Sequence, residues 1–337
     1  MIRVGTRASA LARTQSGLVA AALTAATGEA TELVEISTAG DTDPAPLREL
    51  ARRASGVGVF VSALREALLD GRVDVAVHSL KDLPTAPAPG IVLAAVPERE
   101  DPRDVLVTRP GLGGLADLPD GARVGTGSPR RAALLREVCR RDGRHVEVVD
   151  VRGNVDTRLA RVHADLDAVI LAHAGLRRLG RGDEVSEVLD PAVVVPAPGQ
   201  GALAVETRAD DPLADRVRAA LDHPPTRAAV TAERRLLAVL DTGCSAPVGA
   251  WARVEGDRLV LLGAAAPDAD ADADVAADAD AGDVVRVEEH GGTHEAEATG
   301  ERAGRRLLAA RTGTAGTTRR TSTRPGPRTT EHEESLR

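Results

Sequence analysis

The sequence predicts an α/β protein in which two similar α/β units follow one another and a small α+β domain completes the chain. Three observations carry this. Apolar runs of strand length alternate with helical runs twice over. The two series open alike, with Val4-Gly5-Thr6-Arg7-Ala8-Ser9 in the first and Val124-Gly125-Thr126-Gly127-Ser128 in the second. Beyond Pro212 the pattern changes to two helices followed by two strands.

The first series reads as strand 2–6, helix 9–25, strand 32–38, helix 60–70, strand 73–77 and strand 91–96. The second reads as strand 122–126, helix 128–141, strand 145–151, helix 153–163, strand 167–172 and helix 174–180. Such alternation predicts a largely parallel sheet in each unit. Pro196-Ala197-Pro198-Gly199-Gln200-Gly201 is rich in turn residues and carries the chain out of the second unit, so that strand 202–206 can return to the first sheet. The domains are therefore 1–98 with 198–211, then 99–197, then 212–310, the last with helices 213–222 and 226–240 and strands 247–254 and 258–263. The Asp-Ala run at 267–283 holds seven Asp and little that can pack, and reads as a disordered acidic loop. Residues 311–337, rich in Thr, Arg and Gly, read as a disordered tail.

Composition narrows the function. The 337 residues include one Phe, one Trp and no Tyr, so the core is built from Ala, Val and Leu, and base stacking on aromatic rings is not available. The net charge of −8 hides an uneven distribution: between Arg123 and Arg178 twelve Arg face seven acidic residues, a local balance of +5. A basic segment in an acidic chain points to a small anionic ligand rather than to nucleic acid. Two cysteines fit a reducing compartment. The eight His do not cluster with Cys at ligand spacings, so no metal is implied. Arg3, Arg7 and Arg13 before Leu18 to Leu23 imitate a signal peptide, but the apolar run is six residues long, and no other stretch reaches membrane-spanning length. The expectation is a soluble cytoplasmic protein without a membrane partner.

The candidate chemistry begins at Lys81, the only lysine among 43 basic residues, which stands beside Asp82 in His78-Ser79-Leu80-Lys81-Asp82-Leu83-Pro84. The preceding apolar run places this pair at the carboxyl end of a buried strand, where open α/β sheets bind ligands. Alternatively, the pair merely closes a strand. Ser128 as N-cap, Pro129 at the first helical position and Arg130 and Arg131 in the opening turn make an anion site, with Arg7 and Ser9 in the matching place of the first unit. Arg152, Arg158, Arg177 and Arg178 add further guanidinium forks, which suit a ligand with many carboxylates. Cys244 lies in a turn after a long helix, where a thiol can be exposed and reactive; Cys139 lies inside a helical run, as a buried thiol does.

These segments, with Glu98-Arg99-Glu100-Asp101-Pro102-Arg103-Asp104, Arg152-Gly153-Asn154-Val155-Asp156-Thr157-Arg158, Ala174-Gly175-Leu176-Arg177-Arg178-Leu179-Gly180, Pro198-Gly199-Gln200-Gly201 and Gly243-Cys244, resemble the hydroxymethylbilane synthase (porphobilinogen deaminase) family over about residues 2–265. The resemblance implies two lobes like periplasmic binding proteins around a cleft, plus the small third domain. It implies a dipyrromethane cofactor held as a thioether on Cys244, onto which four porphobilinogen molecules are added head to tail with loss of ammonia before water releases the linear tetrapyrrole. Asp82 then corresponds to the catalytic carboxylate. Lys81, Ser128, Arg130, Arg131 and Asp104 correspond to cofactor-binding positions. Arg7, Ser9, Gln15, Ser79, Arg152, Arg158, Arg178, Gln200, Gly201 and Phe60 correspond to substrate-binding ones, with Phe60 at a mobile loop over the cleft. The family is also expected to be monomeric. Val57 departs from a usual lysine, with Arg53 as its possible replacement, and Ala10 from a usual proline. A periplasmic-type receptor is the rival reading, since two lobes around an anion-lined cleft describe it equally well; an inactive homologue is another.

Overall fold

The computed structural model describes residues 1–37, 59–241, 247–266 and 284–311. Cys244, Arg53, Val57, the Asp-Ala run 267–283 and all of the tail 311–337 but Arg311 lie outside them.

The first lobe holds β1 (Ile2–Thr6), α1 (Ala10–Thr27), β2 (Thr31–Glu35), α2 (Val59–Leu69), β3 (Val75–Ser79) and β4 (Ile91–Ala95). The second holds β5 (Asp104–Thr108), β6 (Ala122–Gly125), α3 (Pro129–Arg141), β7 (Val146–Val149), α4 (Val155–Val162), β8 (Ala168–Ala172), α5 (His173–Arg178) and β9 (Glu187–Val188). Then come β10 (Leu203–Arg208), α6 (Leu213–Leu221), α7 (Pro224–Leu240), β11 (Val248–Glu255), β12 (Arg258–Ala265), β13 (Val285–Gly292) and α8 (Ala296–Arg311).

The two lobes repeat one sheet plan. The orders are β2-β1-β3-β10-β4 and β7-β6-β8-β5-β9. In both, the first strand pairs in parallel with the next two strands of its series. The sheets are nevertheless mixed, not largely parallel: β10 runs antiparallel to β3 and β4, and β5 runs antiparallel to β8 and β9. The physical reason is that each odd strand enters from the other lobe. The chain crosses once before β5 and returns before β10, so each crossing strand arrives opposite to its hosts.

Local chemistry explains the helix starts. Ser9, extended at φ −64° and ψ 144°, caps α1 by accepting from the Ala12 N–H, and Gly28 at φ 70° ends it. Ser128 caps α3 by accepting from the Arg131 N–H, with Pro129 first in the helix, and Asn154 caps α4. The echo between the two unit openings is thus a pair of Ser-capped strand-to-helix turns.

Three expectations change. The 213–222 helix, assigned to the third domain, is α6 of the first lobe: Leu213, Ala214 and Val217 form one apolar face and pack with Val19, Leu23 and Val205. Strand β5 was not foreseen because it opens on a charged residue, and all five of its residues are buried. The third domain's last elements, β13 and α8, were hidden by polarity. In β13 the side chain of Val287 alone is buried, and α8 packs through small residues so tightly that a Cβ on Gly300 would lie 2.2 Å from the Ala232 carbonyl oxygen.

The third domain is an antiparallel sheet, β11-β12-β13, with α7 and α8 on one face. Its other face, through Trp251 and Ala264, packs on Leu189, Val194 and Val195 of the second lobe. Among the described residues no helix is long and apolar enough to cross a membrane.

Candidate functional site

Strand β3 ends at Ser79 and passes into one 3-10 turn, Leu80–Asp82, closed by the Leu83 N–H donating to the Leu80 carbonyl at 3.1 Å. Residues three apart eclipse in such a turn. Leu80 and Leu83 both point into the core, at 0% and 3% exposure, so the residues between them face outward: Lys81 is half-buried and Asp82 exposed. Just upstream, His78 is buried beside Glu206, which also receives a bidentate pair from Arg65 of α2. Burial opposes the Glu206 charge, but His78 and Arg65 hold its carboxyl down at about 2. His78 therefore braces the strand. Ser79 shares a 3.0 Å hydrogen bond with Gln15 of α1.

The return crossing runs directly beneath this turn. The Leu80 N–H donates to the Ala202 carbonyl at 3.0 Å. Gly199 and Gly201 have φ of 76° and 86°, which glycine alone adopts without strain. A Cβ on Gly199 would meet Leu80 at 3.1 Å and the Lys81 nitrogen at 3.3 Å, and one on Gly201 would meet the Glu100 carbonyl oxygen at 2.3 Å. The two crossings touch here, and only backbone without side chains fits.

In the second lobe, the opening turn of α3 brings Arg130 and Arg131 onto Asp104, the first residue of β5. Arg130 donates at 2.7 Å, Arg131 at 2.8 and 3.0 Å, and the Gln200 side-chain amide at 2.8 Å. Arg130 also reaches the Val195 carbonyl, and Arg131 the Ile170 carbonyl. Asp104 is fully buried; burial opposes its charge, yet the two guanidinium groups hold its carboxyl far below the usual range. Asp104 thus fixes the two arginines from inside the lobe. Gln200 likewise is buried, donating also to the Pro102 carbonyl.

The arginines crowd the lysine. Burial is the main cause that lowers the Lys81 ammonium to about 8; Arg131 and Arg130 add to it, and Asp82 and Asp104 oppose it. Arg131 also acts on Arg158, which burial lowers most and whose side chain donates to the Gly153 carbonyl. Arg178 is turned onto the Gly201 carbonyl at 2.7 Å. Lys81, Asp82, Asp104, Arg130, Arg131, Arg158, Gln200, Gly201 and Arg178 therefore form one connected neighbourhood. Arg152 stands apart, exposed and paired with Asp150 at 3.0 Å. Arg7 is half-buried between β1 and α1, and Ser9 is occupied as a cap. Phe60 falls in the first turn of α2, and its side chain lies outside what the structure describes.

Sequence reasoning missed the residues that join the domains. Glu233 of α7, fully buried, accepts from Arg99 at 2.6 and 3.0 Å, from the Gly199 N–H at 2.7 Å and from the Ala252 N–H at 2.8 Å. Arg99 also donates to the Gln200 carbonyl. The available signal was an acid among the apolar positions of α7, Ala229, Val230, Leu236, Leu237 and Leu240, where a charge requires a partner.

Residues 2–216 match the family model described as porphobilinogen deaminase, dipyromethane cofactor binding domain, and residues 227–309 match its C-terminal domain. Porphobilinogen deaminase 1 of Streptomyces coelicolor is 59% identical over 257 residues, 76% of this chain and 79% of that protein. Porphobilinogen deaminase of Mycobacteroides abscessus is 51% identical over 318 residues, 91% of this chain and 97% of its own. Among solved structures, a periplasmic substrate-binding protein of an ABC transporter from Coxiella burnetii is similar at 18% identity and a TM-score of 0.41, over 67% of this chain and 94% of that one.

Replacing Asp104 with Ala strands two buried guanidinium groups. The expected loss is about 3–5 kcal/mol of folding free energy, read from urea denaturation midpoints at unchanged slope.

Proposed function

The chain belongs to the porphobilinogen deaminase family, transferases with hydroxymethylbilane synthase activity, and on that premise we propose that Asp82 carries its chemistry and Cys244 its dipyrromethane cofactor. The observation that supports this most is the pairing of an exposed carboxylate with a fixed cationic wall. Each pyrrole of the cofactor and each porphobilinogen brings an acetate and a propionate. Arg130 and Arg131 act on the charge of Lys81, and Arg131 on that of Arg158, with the fully buried Asp104 as the counter-ion of Arg130 and Arg131. That array suits a polycarboxylate, so the residues present fit the group.

In this reading the arginines and Lys81 bind and orient carboxylates, Arg178 and Gln200 hold the crossing strands, and Asp82 manages protons. When bound, the dipyrromethane supplies a free pyrrole carbon as the point of chain growth. Asp82 assists departure of the porphobilinogen amine as ammonia by placing a proton on it. Its carboxylate then faces the positive charge left on the pyrrole, and receives the proton lost from the attacked carbon. One carboxyl group serves all three steps because each returns what the last one took. Four additions and a hydrolysis complete the reading. We also read the protein as cytoplasmic and monomeric; the two-cysteine content supports the first.

The test is the denatured intact mass with steady-state turnover. The protein should carry the mass of two linked pyrroles on the Cys244 peptide. Asp82→Asn should keep that mass and lose turnover by about 10²–10⁴-fold. Cys244→Ala should lose both. Normal turnover in Asp82→Asn, or the adduct on Cys139, overturns the assignment.

A second prediction follows from Lys81. Its cation is present below about pH 8 and is lost above it. The KM for porphobilinogen should therefore climb as pH rises through 8, while in Lys81→Arg it stays level to higher pH. For stability the sign is opposite. The folded pKa lies below the unfolded one, so Lys81 weakens the fold fully below about pH 8 and less as pH rises beyond it.

A further inference from the structure

Arg234 lies on α7, the helix that ends at Leu240, four residues before Cys244. Its guanidinium leaves the third domain and donates to two consecutive backbone carbonyls of the first lobe, Leu83 at 3.0 Å and Pro84 at 2.6 Å. Those are the residues that directly follow Asp82. One turn earlier on the same face of α7, Val230 packs with Leu80 and Leu83, the two buried residues that bracket Lys81 and Asp82. Glu233, adjacent to Arg234, fixes the Gly199 N–H, and Gly199 lies against Leu80 and the Lys81 nitrogen. The 3-10 turn that presents Asp82 is thus held through Leu80 and Leu83 by Val230, through Leu80 by Gly199 and at its exit by Arg234. All three trace to α7.

Resting on the assignment of Asp82 and Cys244 above, we infer that Arg234 is a positioning residue that fixes the Asp82 turn relative to the helix leading to Cys244, and so sets the register between carboxylate and growing chain. The guanidinium suits this because its planar fork spans two carbonyls at once, which a single ammonium cannot do with the same geometry. It touches no reacting atom; its effect passes through the backbone of Leu83 and Pro84. Misplacement of a reacting group by about 1 Å costs on the order of 10²-fold in rate.

The same helix contains its own control. Arg227 also donates to first-lobe carbonyls, Leu93 at 3.4 Å and Ala94 at 3.0 Å, and pairs with Asp222. Its targets lie on β4, separated from β3 by β10. A purely structural role predicts that Arg227→Met and Arg234→Met behave alike. The positioning role predicts that Arg234→Met lowers kcat by about 10–100-fold, with KM for porphobilinogen within twofold and the Cys244 adduct intact by denatured mass. Arg227→Met should keep kcat within threefold, and Arg234→Lys should recover part of the loss. Wild-type kcat in Arg234→Met beside an inactive Asp82→Asn overturns this inference alone; an active Asp82→Asn overturns the assignment beneath it. Equal losses of kcat in the two arginine variants, or loss of adduct in step with loss of kcat, also overturn it. Should Arg234→Met not fold, Arg234→Lys decides by the same split between kcat and KM.

Discussion

The Glu233 carboxylate is the interaction on which the architecture turns. It is fully buried, and a buried carboxylate is costly unless its lone pairs are filled. Four donors fill them: two from Arg99 before the first crossing, the Gly199 N–H on the second, and the Ala252 N–H of the third domain. Removing any one donor leaves charge unpaired, so the two crossings and the third domain are held to one geometry. The crossings in turn place β5 and β10 antiparallel in their host sheets, and they pass under the turn that exposes Asp82.

A second buried carboxylate organises the opposite wall by the same logic. Asp104 gathers Arg130, Arg131 and Gln200 and leaves an array with more positive than negative charge. The excess registers in Lys81, whose ammonium is depressed first by burial and further by its arginine neighbours. Such an array is preorganised for carboxylates, because the forks are oriented before any ligand arrives and little side-chain freedom remains to be lost. The lobes thus differ: the first presents an exposed carboxylate, Asp82, and the second fixes positive charge around Asp104.

Legibility in the sequence followed the strength of local signals. Element positions in the two lobes were readable because Val-rich strands, Ser caps and Pro at the first helical position are local devices. The conjunction of Lys81 with Asp82 was readable as a singular lysine at a strand end. Strand β5 and the elements β13 and α8 were not: β5 begins with Asp104, whose burial is favourable only through residues 26 and more positions away, and α8 achieves its packing with glycine and alanine instead of large apolar groups. Nor was α6 readable as part of the first lobe, since an apolar face does not name the face it meets.

The sequence by itself determined the periodicities, the capped turns, the polar and apolar faces and the motifs that mark the family, because each depends on residues within a few positions of one another. The tertiary structure alone decided which acceptor each arginine meets. It turned Arg130 and Arg131 onto Asp104, Arg178 onto Gly201, Arg99 onto Glu233 and Arg234 onto the exit of the Asp82 turn. The physical reason is that a guanidinium carries the same charge wherever it stands in the sequence; its role is set by the acceptor it meets, and those acceptors are supplied by distant parts of the chain.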